Sequence, residues 1–392
     1  MLSFLSNPRK ALKFAALSLG ALWISGCEPT TSGNRGPAFD PGQPVPVALL
    51  LPSGSGNAGD DTLARGLRQA ADMAIADLAG SAKIDLRVYD VGASPDLAAQ
   101  MASKAADDGA LIILGPVYGD SANAAGLAVK DRGLNVLSFS NNTDIAGGNV
   151  FVLGQTFQNT ANRLVAYAQR QGKGAILIAH EQNAQGDHGE RAITAAAARA
   201  GARIVGSQPY AFSGPGVSAA VPAIAAAARA DGASAIFLTA DSAGALPLLA
   251  QLLPEAGLGS GSIQYVGLTR WDIPPATLSL PGIQGGWFAL PDPGLNGQFQ
   301  SRYTNAYGEA PNPIAGLAYD GIAAIGALVK SGRGDPFSAQ SLTQGAGFAG
   351  VTGVFRLKSD GTNERGLAVA QISNGQAVII DPAPRSFGGA GF

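Results

Sequence analysis

Short runs of branched apolar residues alternate along this chain with longer segments whose apolar positions recur every three to four residues. Residues 45–51 (VPVALLL) read as a first strand, with Pro46 close enough to its start to be tolerated. Residues 60–78 place Leu63, Leu67, Ala70, Ala74 and Leu78 on one helical face. A strand over 83–89 and a helix over 95–108 follow. Residues 111–114 (LIIL) are too short for a helix and are stopped by Gly115-Pro116. Then come a polar loop from Tyr118 to Ser121, an Ala-rich helix over 122–130, a strand from Val136, and a second polar loop over 138–143.

The alternation continues with strands over 150–153, 175–179, 203–208, 234–238, 264–268 and 286–290. Helices are expected over 160–171, 190–200, 217–230, 299–307 and 314–330, and the polar run 180–189 reads as a loop. Near the end, residues 351–357 and 366–372 flank an Asp360-Gly361 turn, a hairpin pattern, and Asn374-Gly375 makes a second such turn. Strands alternating with helices predict an α/β fold with parallel sheets. The loops after 111–114 and 136–137 then lie at the carboxyl ends of neighbouring strands, where open sheets place ligands. They suit a small polar ligand, and equally well ordinary turns and helix caps. Asp108-Gly109-Ala110 and Asp231-Gly232-Ala233 each precede a strand, a polar loop and an Ala/Leu helix, as two similar lobes or two chance-similar units would give.

Composition narrows the function. Of 392 residues, 46% are hydrophobic and 14% charged, which is globular and sufficient for a large core. A net charge of −2 gives no basic footprint for nucleic acid. One Cys excludes an internal disulfide. Arg9, Lys10 and Lys13 precede an apolar run over 14–24 that is too short to span a bilayer comfortably, so residues 1–26 read as an export signal. It ends Ile24-Ser25-Gly26-Cys27, which resembles a bacterial lipobox and implies a diacylglyceryl group on Cys27. Glu28 rather than Asp follows, favouring an outer-membrane anchor facing the periplasm. Residues 27–44, with four Pro and three Gly, read as a tether.

Two motifs point elsewhere and are set aside. Gly54-Ser55-Gly56-Asn57-Ala58-Gly59 matches the dinucleotide fingerprint between a strand and a helix. The following acidic residue, Asp90, lies too far on, and a chain with 54 Gly produces the motif easily. His180 and His188 lack metal-ligand spacing, and there is no G-x-S-x-G elbow or Walker loop. No catalytic residue, metal or cofactor is expected.

Several stretches together resemble type I periplasmic binding proteins of the Leu/Ile/Val-binding class. They are Gly115-Pro116 with Ser121, the segment 136–143 with the Phe151 strand, residues 185–189, Tyr307-Gly308, Ala318-Tyr319-Asp320-Gly321, and the segment 350–361. Within that class, residues 135–142 with Ala146-Gly147-Gly148 and the strand 150–154 resemble the penicillin-binding protein activator lipoproteins. The resemblance implies two doubly wound parallel-sheet lobes joined by three hinge crossings, near Leu153, Leu290 and Ala349. Lobe one would be 45–153 plus 291–349, lobe two 154–290 plus 350–384, and 385–392 a tail.

A ligand in such a fold lies between the lobes. Lobe one would offer Ser53, Tyr118, Ser121, Ser138, Ser140, Asn141 and Asn142, and lobe two Glu181, Asn183, Asp241, Arg270 and Trp271. By the resemblance, Ser121, Ser138 and Ser140 suit a ligand carboxylate, Glu181 or Asp241 an amino group, and Tyr118 or Trp271 a stacking surface. Two non-enzymatic functions follow. The first, which the closest stretch favours, is a regulator of peptidoglycan synthesis that contacts a bifunctional penicillin-binding protein. The alternative is a receptor for an amino acid or a small cell-wall-derived ligand that serves an ABC transporter permease.

Overall fold

A computed structural model describes residues 37–388 apart from Ala79; the signal sequence, Cys27 and most of the tether lie outside the described residues. β1 (Val45–Leu51), α1 (Ala58–Asp77), β2 (Ile84–Asp90), α2 (Pro95–Asp107), β3 (Ile112–Leu114), α3 (Gly119–Val129), β4 (Val136–Ser138) and β5 (Val150–Val152) open the chain. Their strands form a parallel sheet in the order β2-β1-β3-β4-β5. Pro46 is accommodated because pairing with β3 begins only at Val47. One face of this sheet packs Leu49, Ile112, Leu137 and Phe151 on Leu67 of α1. The other face packs Ala48, Leu50, Ile113 and Val136 on Ala98, Ala102 and Ala105 of α2. Both faces are covered, so β1, β3 and β5 read as continuous apolar runs, whereas the edge strand β2 carries Asp85, Arg87 and Asp90.

The second sheet is built from α4 (Phe157–Arg170), β6 (Ala175–Glu181), α5 (Ala184–Ala200), β7 (Arg203–Tyr210), α6 (Gly214–Ala230), β8 (Ala235–Leu238), α7 (Leu246–Glu255), β9 (Gln264–Gly267) and β10 (Trp287–Leu290). The chain then makes α8 (Pro293–Tyr307), α9 (Gly316–Lys330), α10 (Ala339–Leu342), β11 (Phe348–Gly350), β12 (Gly353–Leu357), β13 (Asn363–Arg365), β14 (Ala368–Ser373) and β15 (Gln376–Asp381). β14 and β15 join antiparallel beside β10, giving the order β15-β14-β10-β9-β8-β6-β7. β11, β12 and β13 form a small antiparallel sheet. The fold is therefore α/β with two parallel-sheet lobes.

Three details differ from the sequence expectation. α5 begins at Ala184, so residues 184–189 are helical turns: Asn183 caps them by accepting the Gly186 N–H at 2.8 Å. Around Asp360-Gly361, β12 pairs with β13 and not with 366–372, which leaves as β14 for the second sheet. Finally, Ala349 is no crossing. Phe348, Val351, Phe355 and Leu357 all pack in the first lobe's core, and the second lobe's core resumes at Leu367. The third crossing lies at residues 363–367.

The side chains of that crossing bind the first directly and reach the second through Thr352. Arg365, 7% exposed, donates from Nε to the Leu153 carbonyl at 2.8 Å and from Nη1 to Thr352 Oγ1 at 2.7 Å. Asn363 Nδ2 donates to the carbonyls of Val152 and Gly154 at 2.7 and 2.9 Å. The Thr352 carbonyl accepts the Asp292 N–H at 3.2 Å, just past β10. Wholly buried Asp320 of α9 faces Arg365 Nη1 at 3.3 Å and accepts the Val351 N–H at 2.8 Å. Burial pushes the Asp320 carboxyl up, and Arg365 with the Thr352 donors opposes it. At Gly154 a Cβ would lie 2.6 Å from the Ser140 carbonyl, so the first crossing presses directly on the loop after β4.

Arg365→Met tests this arrangement, since removing one partner of a buried pair costs about 3–5 kcal/mol. The carboxyl left behind has a folded pKa above its unfolded value. Its contribution is therefore present at low pH and lost as pH rises through the folded value. Urea titrations are expected to show the variant's deficit widening as pH rises above the ordinary carboxylate range; a pH-independent deficit would show that Asp320 does not depend on Arg365.

Candidate functional site: the cleft between the lobes

Strand order reverses at β1/β3 in one sheet and at β6/β8 in the other, and both sheets point their carboxyl ends at the same space. There the segments after β3, β4, β6, β8, β9 and β10 line one cavity of about 1140 Å³. Phe139, Phe157, Leu268, Ile314 and Leu317 supply apolar lining.

The lobe-one wall is the start of α3 and the loop after β4. α3 has no side-chain cap on its first N–H groups, and Gly119 there lines the cavity. Tyr118, at the capping position, instead donates its hydroxyl to Asp60 Oδ1 at 2.5 Å. That bond, followed by one from Ser55, holds the Asp60 carboxyl below its ordinary value and raises the Tyr118 phenol. In the next loop each side chain folds the segment ahead of it. Ser138 Oγ donates to the Pro116 carbonyl at 3.0 Å and accepts the Ser140 N–H at 3.1 Å. Ser140 Oγ accepts the Asn142 N–H at 3.1 Å, and Asn142 Oδ1 accepts the Asp144 N–H at 2.9 Å. The hydroxyl proton of Ser140 and the amide N–H groups of Asn142 are left to meet a ligand.

The lobe-two wall carries charge. Ala184, His188, Arg191, Ala192 and Ala195 form one stripe of α5 along the cavity. Asp241 spends Oδ1 on the Gly244 N–H at 2.6 Å, and Arg270 forks onto Asp272 at 2.6 and 2.5 Å. Across the gap, His188 Nε2 lies 3.4 Å from Asp144 Oδ2 of lobe one.

Six residues picked out from the sequence line this cavity: Tyr118, Ser140, Asn141, Asn142, Asp241 and Arg270. Six do not. Ser53 donates to Asp90 at the end of β2. Ser121 is wholly buried in the first turn of α3, its Oγ without a protein partner. Ser138 is consumed by the loop. Glu181, 7% exposed, accepts from Asn183 Nδ2 at 3.0 Å while Asn183 caps α5. Trp271 is wholly buried against Gly267 and Gly286, where a Cβ would fall 2.2 and 2.7 Å from its ring, and so cannot stack on a ligand there. Gln155, Gln158, Arg191, Thr352 and Arg365 also line the cavity but drew no attention in the sequence, and so does His188, weighed there only as a metal ligand and set aside. For His188 and Arg191 the signal was a helix start at Asn183, which sets the stripe's phase.

The family is visible at the level of the whole chain. A family model described as periplasmic binding protein matches residues 44–377, and the chain belongs to that family. No curated protein matches it in sequence. Among solved structures it is similar to a chain from Rhodospirillum rubrum assigned to a branched-chain amino acid ABC transporter, at 19% identity and TM-score 0.72, covering 86% of this chain and 100% of that one. An ABC transporter substrate-binding protein of Desulfitobacterium hafniense in complex with Leu is 20% identical, with TM-score 0.65 over 86% and 100%. A solute-binding protein of R. palustris in complex with benzoate is 18% identical, with TM-score 0.58 over 87% and 98%. The likeness carries the type I fold.

The His188–Asp144 contact is checkable in solution. Asp144→Ala is expected to enlarge the radius of gyration in small-angle scattering, because the loops then lose a direct link across the gap; an unchanged radius would show that the hinge alone sets the lobe separation.

Proposed function

We propose that this protein is a non-enzymatic solute receptor that captures a small molecule between its lobes and delivers it to an ABC transporter permease. The observation that carries the reading is the convergence of polar groups from both lobes on one cavity with apolar lining. A ligand carboxylate suits the uncapped start of α3, where N–H groups and the helix dipole favour negative charge, with Ser140 and Asn142 beside it. Asp241 stands opposite as acceptor for an amino group. Solved relatives holding Leu and benzoate support a carboxylate with an apolar body. Binding closes the lobes about the three crossings, which exchanges water in the cleft for protein contacts from both walls.

The export signal and its lipobox support placing the protein in the periplasm, held by a lipid on Cys27, with the outer membrane favoured by Glu28. Cys27→Ala is expected to move it from the membrane fraction to the soluble one; retention in the membrane would rule out that anchor.

Thermal unfolding of the purified protein with amino acids, aromatic acids and muropeptides tests the receptor reading. A ligand at 100 times its dissociation constant adds about 2.7 kcal/mol to native stability. A clear shift with one compound supports a working cleft. A flat panel, with capture of a bifunctional penicillin-binding protein, would replace this reading by the regulator that residues 135–154 resemble.

A further inference from the structure

The charges lining the cleft do not all cancel, and the remainder describes the ligand. Arg270 is neutralised by Asp272 at 2.5 Å, Arg365 faces Asp320 at 3.3 Å, and His188 faces Asp144 at 3.4 Å. Arg191 makes no ion pair among the described residues, although it lies on the cavity stripe of α5 between His188 and Ala195. Its own helix carries two acids close by, but neither pairs with it. Asp187, four residues earlier and placed for an i,i+4 pair, lies 3.8 Å from His180, as does Glu190. Ala184, Ala192 and Ala195 beside it on the cavity wall are small, and Gln185 at the start of the helix is neutral. Arg presents a planar fork suited to a carboxylate. Asp241, the other lining residue without an ion pair, supplies the opposite charge.

We propose that Arg191 reads a second anionic group on the ligand, in addition to the carboxylate held by lobe one, so that the cleft takes an acidic amino acid or a small acidic peptide. This rests on the receptor reading and narrows it. The lobe-one wall is neutral apart from Asp144, so the head group is held by hydrogen bonds there while the distal carboxylate is selected by lobe two. A ligand with a neutral side chain would leave Arg191 desolvated without a partner on closure, which is a penalty against it.

Isothermal titration of the protein with two matched pairs, L-glutamate and L-glutamine, L-alanyl-L-glutamate and L-alanyl-L-glutamine, tests this, with L-leucine and benzoate as references. The acidic member of at least one pair is expected to bind more tightly. Arg191→Gln is expected to weaken it about ten- to a hundredfold, the range for a hydrogen bond to a charged group, and to leave the amide unaffected. Arg191→Lys should recover part of the loss. Equal binding of acid and amide, an Arg191→Gln variant with unchanged affinity, or binding of leucine or benzoate alone would overturn this inference and leave the receptor reading standing. Absence of binding by all six compounds would overturn the inference, and with the flat unfolding panel the receptor reading as well.

Discussion

A guanidinium taken out of water must have its donors satisfied, and in this protein that requirement holds the three crossings together. Arg365 has the carbonyl of Leu153, the hydroxyl of Thr352 and the carboxylate of Asp320 within reach. Leu153 belongs to the first crossing, Thr352 binds the second through Asp292, and Arg365 is itself the third. Hydrogen bonds inside the dry interior are strong and costly to lose, so bending at one crossing is felt at the others. The three crossings are thereby joined in one hydrogen-bonded register between the lobes.

The same economy shapes the cleft. Most polar side chains near it are occupied in making the backbone: Ser138, Asn142 and Asn183 fold the loops and start the helix, and Asp272 restrains Arg270. What remains for a ligand includes backbone N–H groups at α3, the Ser140 hydroxyl, the side chains of Asn141, Asn142 and Gln185, Asp241 and Arg191. A cleft built this way is shaped before the ligand arrives, which lowers the ordering cost of binding.

Much of this was legible in the sequence because strands buried on both faces announce themselves as apolar runs, and Leu111 to Leu114 with Gly115-Pro116 placed the lobe-one wall directly. Side-chain direction was not legible. Trp271 and Asp241 are both polar-tipped residues after strands, yet one turns into the core over two glycines and the other into the cleft. Glu181 reads as an exposed acid until β6 is extended to include it. The Ala-rich composition of α5 obscured its stripe, since Ala marks neither a buried nor an open face. The third crossing was placed near Ala349 by resemblance alone, and only the tertiary packing of Phe348 and Phe355 returns that stretch to lobe one.

Gly154 joins these themes. Its missing side chain lets the first crossing rest on the backbone of Ser140 and Asn141, so hinge and ligand loop share one contact surface. A displacement of that strand cannot be absorbed by an intervening side chain, because there is none. Lobe one's loop is thus mechanically continuous with the pivot, the anvil against which the proposed receptor would bring Asp241 and Arg191 of lobe two to bear.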